Sequence, residues 1–325
     1  MKNRSEYLNR FMSENGYPGD SAKSLLSDYR KLSECEQAAE IFERHMRAYE
    51  RSDNVDGEAF LSESDRIAEL SGVHKYSAEF LFYLCATEHM EELYRRRGLP
   101  HSLFLDSADD LRIKLLECHN VYGIWGSFVA FWFPGFFNLT RFALGRLQFE
   151  TDIYCGKTVI EEYGDGFDKG EHPYNKYGTR LIGGQTQVLN VHIPSGSKLP
   201  YDLVIDSYKK AYGFYSDVFN GGPIVLQCCS WLMYPPMRDF LPKESNLIKF
   251  ISDFDTVCSW EDPDFHDCWR LFGCDYSGDP SVLPRNTVMQ RRYADWLSGG
   301  GKPGLGIAVL VFDGKNVLTG SGSIL

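Results

Sequence analysis

The sequence predicts an α/β protein in which a helical N-terminal domain packs on a second domain with a mixed β-sheet. At 325 residues, the chain exceeds the length at which one hydrophobic core usually stops growing, so two domains are expected. Residues 1 to about 118 carry apolar residues almost wholly at helical spacing. After them, a strand, a helix and a second strand follow one another between Gln187 and Met233, as in a βαβ unit. We place the domains at residues 1–140 and 141–325.

The N-terminal region contains several segments with apolar residues at helical spacing. In chain order they are Arg4–Asn15, Ser21–Arg30, Cys35–Tyr49, Ser64–Leu70, Tyr76–Arg97 and Ser107–Glu117. The run Arg95–Arg97 complements the negative end of the helix dipole, and a phosphate-binding patch is the alternative. The run Asp106–Asp110 is rich in capping residues, which predicts that the sixth helix begins there.

A dense block of aromatic residues follows the helices and ends near Phe149. So much aromatic surface is typical of an interdomain core, and a tunnel for an acyl chain is the alternative. The block runs into Leu144–Thr151, where an alternating pattern predicts the first strand of the sheet. In that strand Leu147 and Phe149 face one way, whereas Gln148 and Glu150 face the other.

The stretch from Gln187 onward carries the most organised pattern in the chain. Gln187–Ile193 is a β-branched run closed by Pro194, which predicts a strand that feeds a tight loop. Tyr201–Phe219 has helical periodicity, and Ile224–Met233 is apolar on both faces, as a strand inside a covered sheet should be. The loop Ser195–Leu199 lies where the N–H groups of a helix start could receive phosphate oxygens.

The remaining elements are shorter and are predicted from local patterns. Strands are expected at Thr158–Tyr163, Phe254–Trp260 and Gly304–Gly314, and helices at Leu241–Phe250, Phe265–Phe272 and Asn286–Leu297. Ser245 or Asn246 is the expected cap of the first of these helices. The glycine-rich stretches Tyr163–Gly170 and Tyr174–Gln185 are expected to be loops near an opening.

Composition excludes several classes of protein. A formal net charge of −11 argues against a nucleic-acid surface, which needs a basic stripe. We find no signal peptide and no clean membrane span, so the cytoplasm is the expected location. Nine cysteines occur without a C-x-x-C motif, and no paired histidine spacing accompanies them, so no metal site is expected. Free thiols in a reducing compartment explain these cysteines.

Five short motifs resemble, in this order, a family that is typically bacterial. They are Gly145–Glu150; Val191–Pro194 with Gly196 and Leu199; Ser207 with Ala211 and Phe214; Cys229–Leu232 with Pro235; and Leu241–Pro242 with Ser245–Asn246. That family joins a helical N-acyltransferase N-terminal domain to a GNAT-like C-terminal domain. The resemblance extends from the helical region to about Phe254.

The resemblance implies a GNAT-type sheet and the transfer of an acyl group from acyl-CoA, as co-substrate, to a small-molecule amine. The usual pyrophosphate signature, Q/R-x-x-G-x-G/A, is absent, and Ser195–Lys198 occupies the equivalent place, where Lys198 would supply charge. The pantetheine arm is expected between the strands Gln187–Ile193 and Ile224–Met233. The residues expected to contact acyl-CoA are Val191, Ile193, Ser195, Gly196, Ser197, Lys198, Cys228 and Ser230.

Acylation of an amine needs a base for the ammonium proton and an acid for the departing thiolate. His192, at the splayed strand end, titrates near neutrality and is the first candidate base; a structural histidine is the alternative. Glu150 is the second candidate, and its alternative is a structural pair with Arg146. Tyr234 is the candidate acid, and an interface tyrosine is its alternative.

Two other routes compete with direct transfer. Cys228 and Ser230 share a strand face, so an acyl-cysteine intermediate is conceivable, although no base partner is evident in the sequence. A hydrolase lacks support because no G-x-S-x-G nucleophile elbow occurs. The competing class without catalysis is a protein that keeps a GNAT-like pocket and only binds acyl-CoA or a metabolite.

Overall fold

The computed structural model describes residues 1–154, 172–173, 181–182 and 186–320. It divides into two compact units, Met1–Ala143 and Leu144–Leu325. The predicted strand Thr158–Tyr163, the predicted loop Tyr163–Gly170 and Cys155 lie outside the described residues. So does the predicted loop at residues 174–185, apart from Leu181–Ile182.

The first unit is helical, and all six predicted helices are confirmed. They are α1 (Ser5–Glu14), α2 (Gly19–Glu34), α3 (Glu36–Ser52), α4 (Gly57–Ser71), α5 (Lys75–Arg96) and α6 (His101–Tyr122), and a short α7 (Pro134–Phe137) follows. The predicted start of α6 is wrong, because the helix begins directly after Pro100 and therefore encloses Asp106–Asp110. Ser107 is buried in α6, where its hydroxyl accepts a hydrogen bond from the Ala143 N–H (3.2 Å).

Part of the aromatic block belongs to the core of this helical unit. Phe133 and Phe137 are buried, and their ring centroids lie 5.0 and 5.2 Å from that of Tyr83 on α5. The Tyr49 hydroxyl on α3 donates to the Phe137 carbonyl oxygen (3.1 Å). These contacts lie inside the first unit and correct, for these phenylalanines, the prediction of an interdomain core. A helical unit of this size needs such large side chains because aromatic rings bury the most surface per residue.

A six-stranded mixed sheet in the order β1-β2-β5-β6-β8-β7 forms the second unit, except that Arg141–Ala143 of its edge strand β1 belong to the first unit, and the predicted fold class is confirmed. Its strands are β1 (Arg141–Leu144), β2 (Leu147–Ile153), β5 (Gln187–His192), β6 (Ile224–Ser230), β7 (Asp255–Glu261) and β8 (Gly304–Phe312). The strands β3 (His172–Pro173) and β4 (Leu181–Ile182) form a separate antiparallel pair. The predicted strand Leu144–Thr151 is instead two strands, because Gly145 takes a left-handed turn (φ +80°) that only glycine adopts readily.

Helix α8 (Tyr201–Phe214) covers one face of the sheet, which we call the helix face. Its Tyr208 ring lies 5.8 Å from Phe312 on β8, and the hydroxyl of the following Tyr215 donates to the Phe149 carbonyl oxygen (3.1 Å). Strand register places Leu189, Val191, Leu226 and Cys228 on the same face. β5 and β6 are parallel and α8 connects them, so the predicted βαβ unit is confirmed.

The opposite face, which we call the polar face, changes character along the strands. One end is apolar and comprises Val188, Val225, Val309 and Val311, packed with Tyr154 and Ile182. The other end presents polar side chains, namely Gln148, Glu150, Asn190, His192 and Gln227. The predicted alternation in β2 is therefore confirmed.

The described part of the second unit also contains four further helices. They are α9 (Met237–Phe240), α10 (Asn246–Ser252), α11 (Cys268–Phe272) and α12 (Val288–Ser298). Ser245 caps α10 as predicted, since its hydroxyl accepts from the Ile248 N–H (3.2 Å). After β8 the chain turns at Asp313, whose carboxylate accepts from two backbone N–H groups, and Val317 then bridges back to Phe312.

Asp253 is a buried carboxylate that joins the end of α10 to α8. It is 8% exposed and accepts hydrogen bonds from the hydroxyls of Tyr201 (2.7 Å) and Tyr208 (3.3 Å). Burial raises its pKa from the usual 3.8 to about 6, while the two hydroxyls act in the opposite direction.

We expect Asp253→Asn to remove a pH dependence of stability between about pH 4 and pH 6. Because the pKa is higher in the folded state, ionisation of Asp253 costs nothing below pH ~4; the cost develops between about pH 4 and pH 6 and is complete above that. At neutral pH it reaches about 3 kcal/mol of unfolding free energy. Urea denaturation of the wild type and the variant across this range measures it, with the exposed Asp264→Asn as the control. A constant difference between the wild type and Asp253→Asn would contradict the expectation.

Candidate active site

The two parallel strands at the centre of the sheet separate at one point. β5 and β6 are paired only through Leu189 with Leu226 and through Asn190 with Gln227. Beyond that, β5 stays on β2 as far as His192, whereas β6 stays on β8 as far as Ser230. The strand ends therefore diverge, and a wedge-shaped gap opens between residues 191–193 and residues 228–230.

His192 and Glu150 meet on the polar face beside this gap. His192 lies opposite Gln148 and Glu150 lies opposite Asn190, so the two side chains are diagonal neighbours on one face. The distance from His192 Nε2 to Glu150 Oε2 is 3.4 Å, and both side chains are about one-fifth exposed, at 22% and 21%. The Nε2 atom that faces the carboxylate is itself buried, and a carboxylate at this distance stabilises positive charge on an imidazole.

A chain of side-chain amides crosses the sheet at the vertex of the gap. The Asn190 amide donates to Asp152 Oδ2 (2.9 Å), and the Gln227 amide donates to Asn190 Oδ1 (2.9 Å). Gln227 is 1% exposed, whereas Asn190 and Asp152 are half-buried, so the Gln227–Asn190 bond is the better shielded of the two from solvent. These bonds connect β2, β5 and β6 on the polar face, next to His192 and Glu150. Asn190 is a site residue that was not predicted, although a polar side chain between Leu189 and Val191 is a signal visible in the sequence.

The loop after β5 is held by Arg146, from the turn between β1 and β2. The guanidinium donates to the carbonyl oxygens of Lys198 (2.8 Å) and Ser197 (2.9 Å). The Arg146 N–H donates to Ser207 Oγ on α8 (2.8 Å), which in turn donates to the Leu203 carbonyl oxygen (2.8 Å). Burial lowers the pKa of Arg146, as expected for a half-buried cation. From the sequence, Arg146 was expected only as a possible partner of Glu150, and no local pattern indicated its contact with this loop.

The loop Ser195–Lys198 turns at a glycine. Gly196 has a left-handed backbone (φ +84°), and no atom lies within 4 Å of the position that a Cβ would take there. Pro200 precedes α8 and offers no side-chain cap, so the first N–H groups of the helix are available to an anion. Lys198 is exposed beside them.

The other predicted site residues lie in different surroundings. Cys228 is 1% exposed on the helix face, and burial raises its pKa to about 12, so its thiol stays protonated and the acyl-cysteine route loses support. Ser230 accepts a hydrogen bond from the Leu232 N–H (3.1 Å) and caps the 3₁₀ turn Trp231–Met233.

Tyr234 follows that turn and lies over β8. A Cβ on Gly304 would come within 2.6 Å of its ring. Since β6 stands between β5 and β8 in the sheet, the structure groups His192 with Glu150 but places Tyr234 apart from them. Burial, aided by Glu261, raises the pKa of Tyr234 and makes it a weaker proton donor.

Within the described ranges, no cluster of three or more His, Cys, Asp or Glu side chains could hold a metal ion. Nor is any helix in that part of the chain both long and apolar enough to cross a membrane.

A mixed sheet that opens between two parallel strands beside a helix start is the architecture that the resemblance implied. Two family profiles now match the chain: the N-acyltransferase N-terminal domain over residues 6–139 and the GNAT-like C-terminal domain over residues 141–310. The protein belongs to this two-domain family, and the recognition made from the sequence is confirmed.

Solved structures similar to this one are acyltransferases. A mutant acyltransferase in complex with octanoyl-CoA has a TM-score of 0.70 at 17% identity, over 94% of this chain and 87% of that one. An acyltransferase in complex with decanoyl-CoA and teicoplanin has a TM-score of 0.67 at 18% identity, over 94% and 88%. At these identities the likeness shows the shared fold. No protein with a curated description matches the chain.

Proposed function

We propose that this protein is an N-acyltransferase that moves an acyl group from acyl-CoA to the amine of a small molecule by direct transfer. The observation that carries the proposal is the gap between β5 and β6, with the His192–Glu150 pair on one side of the sheet and the start of α8 on the other. A thioester lying in such a gap is open to a nucleophile from the polar face while its CoA portion extends toward the helix. The family profiles and the acyl-CoA complexes of the similar structures support this assignment.

The donor would be held by main-chain groups. The pantetheine arm would lie between residues 191–193 and 228–230, where β5 has left its β6 partner, and its phosphates would meet the loop Ser195–Lys198. The N–H of Val191 or Ile193 would polarise the thioester oxygen, as donors aimed at a developing oxyanion do. Lys198 and Arg146 would supply positive charge in a chain whose net charge is −11.

In the reaction, His192 takes a proton from the acceptor's ammonium group, and Glu150 stabilises the imidazolium. The free amine attacks the thioester carbon, so that a C–N bond forms and the C–S bond breaks. The departing CoA thiolate receives the proton that His192 holds, and the second amine proton passes to water. These proton transfers do not require Tyr234 as an acid, which agrees with the position of its ring over β8.

The direct test is turnover with a panel of acyl-CoA thioesters of increasing chain length and a panel of small amines. Release of free CoA thiol reports acyl transfer, and mass spectrometry of the acceptor identifies the new amide. Saturable CoA binding without turnover on any pair would favour the competing class, a GNAT-like protein that only binds acyl-CoA. Absence of CoA binding would remove the proposal altogether.

Replacement of Gly196 by valine tests the phosphate loop. We expect CoA affinity to fall at least tenfold, because a β-branched residue rarely adopts φ +84° and the loop must rearrange. Gly221→Val is a matched control: its φ is +70°, it also has open space around the added side chain, and it lies outside the loop. Both variants should lose about 1–2 kcal/mol of stability. Equal CoA affinities in calorimetric titrations would place the phosphates elsewhere.

A further inference from the structure

A cavity of about 310 Å³ lies within the helical unit. It lies between the C-terminal end of α5 and the segment that follows α7. Its apolar wall comprises Leu93, Leu99, Leu139 and Phe142, and its polar lining includes Asp53 and Arg97. This volume admits a ligand of roughly the size of a monocyclic aromatic acid.

The charges around the cavity leave one cation available. Of the run Arg95–Arg97, Arg95 binds Glu92 (2.8 Å) and Arg96 binds Asp53 Oδ1 (2.7 Å). His89 Nε2 contacts the same Asp53 oxygen at 2.9 Å. Among the residues that the structure describes, Arg97 has no carboxylate within ion-pair distance, although it lines the cavity and is exposed. Arg96 therefore pairs with Asp53, and Arg97 is left to meet an anion in the cavity.

The backbone that forms the cavity is held in an unfavourable conformation on both sides. Asp53 and Leu139 have φ angles of +57° and +54°, a region that side chains larger than glycine rarely adopt. The Asn138 amide accepts from the Val55 N–H (2.6 Å) and donates to the Val55 carbonyl oxygen (3.2 Å), which ties the two segments together. Non-glycine residues with such angles cluster at ligand sites, where surrounding contacts hold them in place.

We propose that this cavity is a second binding site for a small amphipathic monoanion, a carboxylate with a compact apolar body. The Arg97 guanidinium would bind the carboxylate through two parallel hydrogen bonds, which its planar fork allows and an ammonium does not. The apolar body would lie against Leu93, Leu139 and Phe142. The site does not depend on the proposed acyl transfer, because each of its residues lies in the helical unit.

The test is calorimetric titration of the full chain with 3-phenylpropionate, alongside its uncharged isostere 3-phenylpropionamide. We expect a Kd on the order of 0.1–1 mM for the acid, as is typical of a ligand this small, and at least tenfold weaker binding of the amide. Arg97→Gln should weaken acid binding at least tenfold, and Arg97→Lys should restore only part of it. Arg66→Gln makes the same charge change on the exposed surface of α4 and should leave binding unchanged.

Each contrary result rejects the second site. No measurable heat up to about 10 mM acid would show that the cavity does not take this class of ligand. Equal affinity for acid and amide would show that Arg97 contributes no charge recognition. Binding that CoA abolishes and Arg97→Gln leaves intact would locate the acid in the β5–β6 gap instead.

Discussion

Replacing His192 with glutamine is expected to lower kcat/KM for acyl transfer by on the order of 100-fold. Glutamine keeps a hydrogen-bonding group of similar reach beside Glu150 but cannot take up the ammonium proton. The acid limb of the pH–rate profile should disappear in the variant, because in the wild type that limb reports the neutral imidazole needed to accept the proton. CoA affinity should stay within about twofold, since the imidazole lies on the polar face and the phosphate loop lies beyond it.

Two companion variants separate chemistry from folding. His266→Gln makes the same substitution on a histidine whose side chain is 78% exposed, and its activity and pH profile should match the wild type. Glu150→Gln should lower activity by roughly tenfold and keep the acid limb, because it removes the stabilising carboxylate but not the base. Melting temperatures should be measured beside the rates, since His192 ends β5.

The outcome also decides between the two candidate bases. If His192→Gln retains activity with its acid limb intact, His192 is structural, and Glu150 is the remaining base at the gap. If both variants remain active, the proton is taken by a group on the acceptor or by water.

The sequence predicted the helices and the central βαβ unit because each rests on a local repeat. Side chains at helical spacing in Tyr76–Arg97 predict α5 without any tertiary information, and an apolar run ended by Pro194 predicts β5 in the same way. The errors occurred where tertiary contacts decide. Ser107 and its polar neighbours have the composition of a helix start, yet Pro100 begins the helix and Ser107 pairs with Ala143 instead.

In the candidate site too, local patterns predicted single residues, whereas the contacts between them depend on tertiary structure. His192 and Glu150 could be chosen separately from the sequence, since each is a polar residue on an alternating strand. Their contact depends on the register between β2 and β5, which residues so far apart in sequence do not specify locally. Tyr234 was chosen because it follows β6, but the 3₁₀ turn before it carries the ring over Gly304 on β8.

The Asn190–Gln227 bond connects the fold to the chemistry. It lies at the last paired position of β5 and β6, so it fixes the vertex from which the two strands diverge. The paired Leu189 and Leu226 lie on the other side of that vertex, and the buried Val188 and Val225 belong to one apolar cluster there. An amide pair at this place has directional hydrogen bonds that a pair of leucines would lack, and such bonds favour one position for the start of the gap.

Replacing Arg146 with glutamine is expected to weaken CoA binding by at least tenfold and to raise the KM for acyl-CoA by a similar factor. The guanidinium holds the carbonyl oxygens of Ser197 and Lys198, so its loss releases the loop and removes a positive charge close to the proposed phosphate position. The KM for the amine should stay unchanged, because the acceptor approaches from the polar face. The backbone N–H bond to Ser207 remains in the variant, so the turn and α8 should stay in place.

Arg146→Lys separates the two contributions of this residue. Lysine keeps the charge but cannot bind two carbonyl oxygens through a planar fork, so it should restore affinity only partly if loop geometry matters and almost fully if charge alone matters. Arg292→Gln is the matched control, since Arg292 also donates to a main-chain carbonyl oxygen, that of Phe240 (2.6 Å), on the exposed surface of the same unit. Calorimetric titration with CoA at two salt concentrations gives the electrostatic share, because screening weakens charge and leaves loop geometry intact. Wild-type affinity in Arg146→Gln at both concentrations would show that the loop after β5 is not the phosphate site, even if acyl transfer itself is observed.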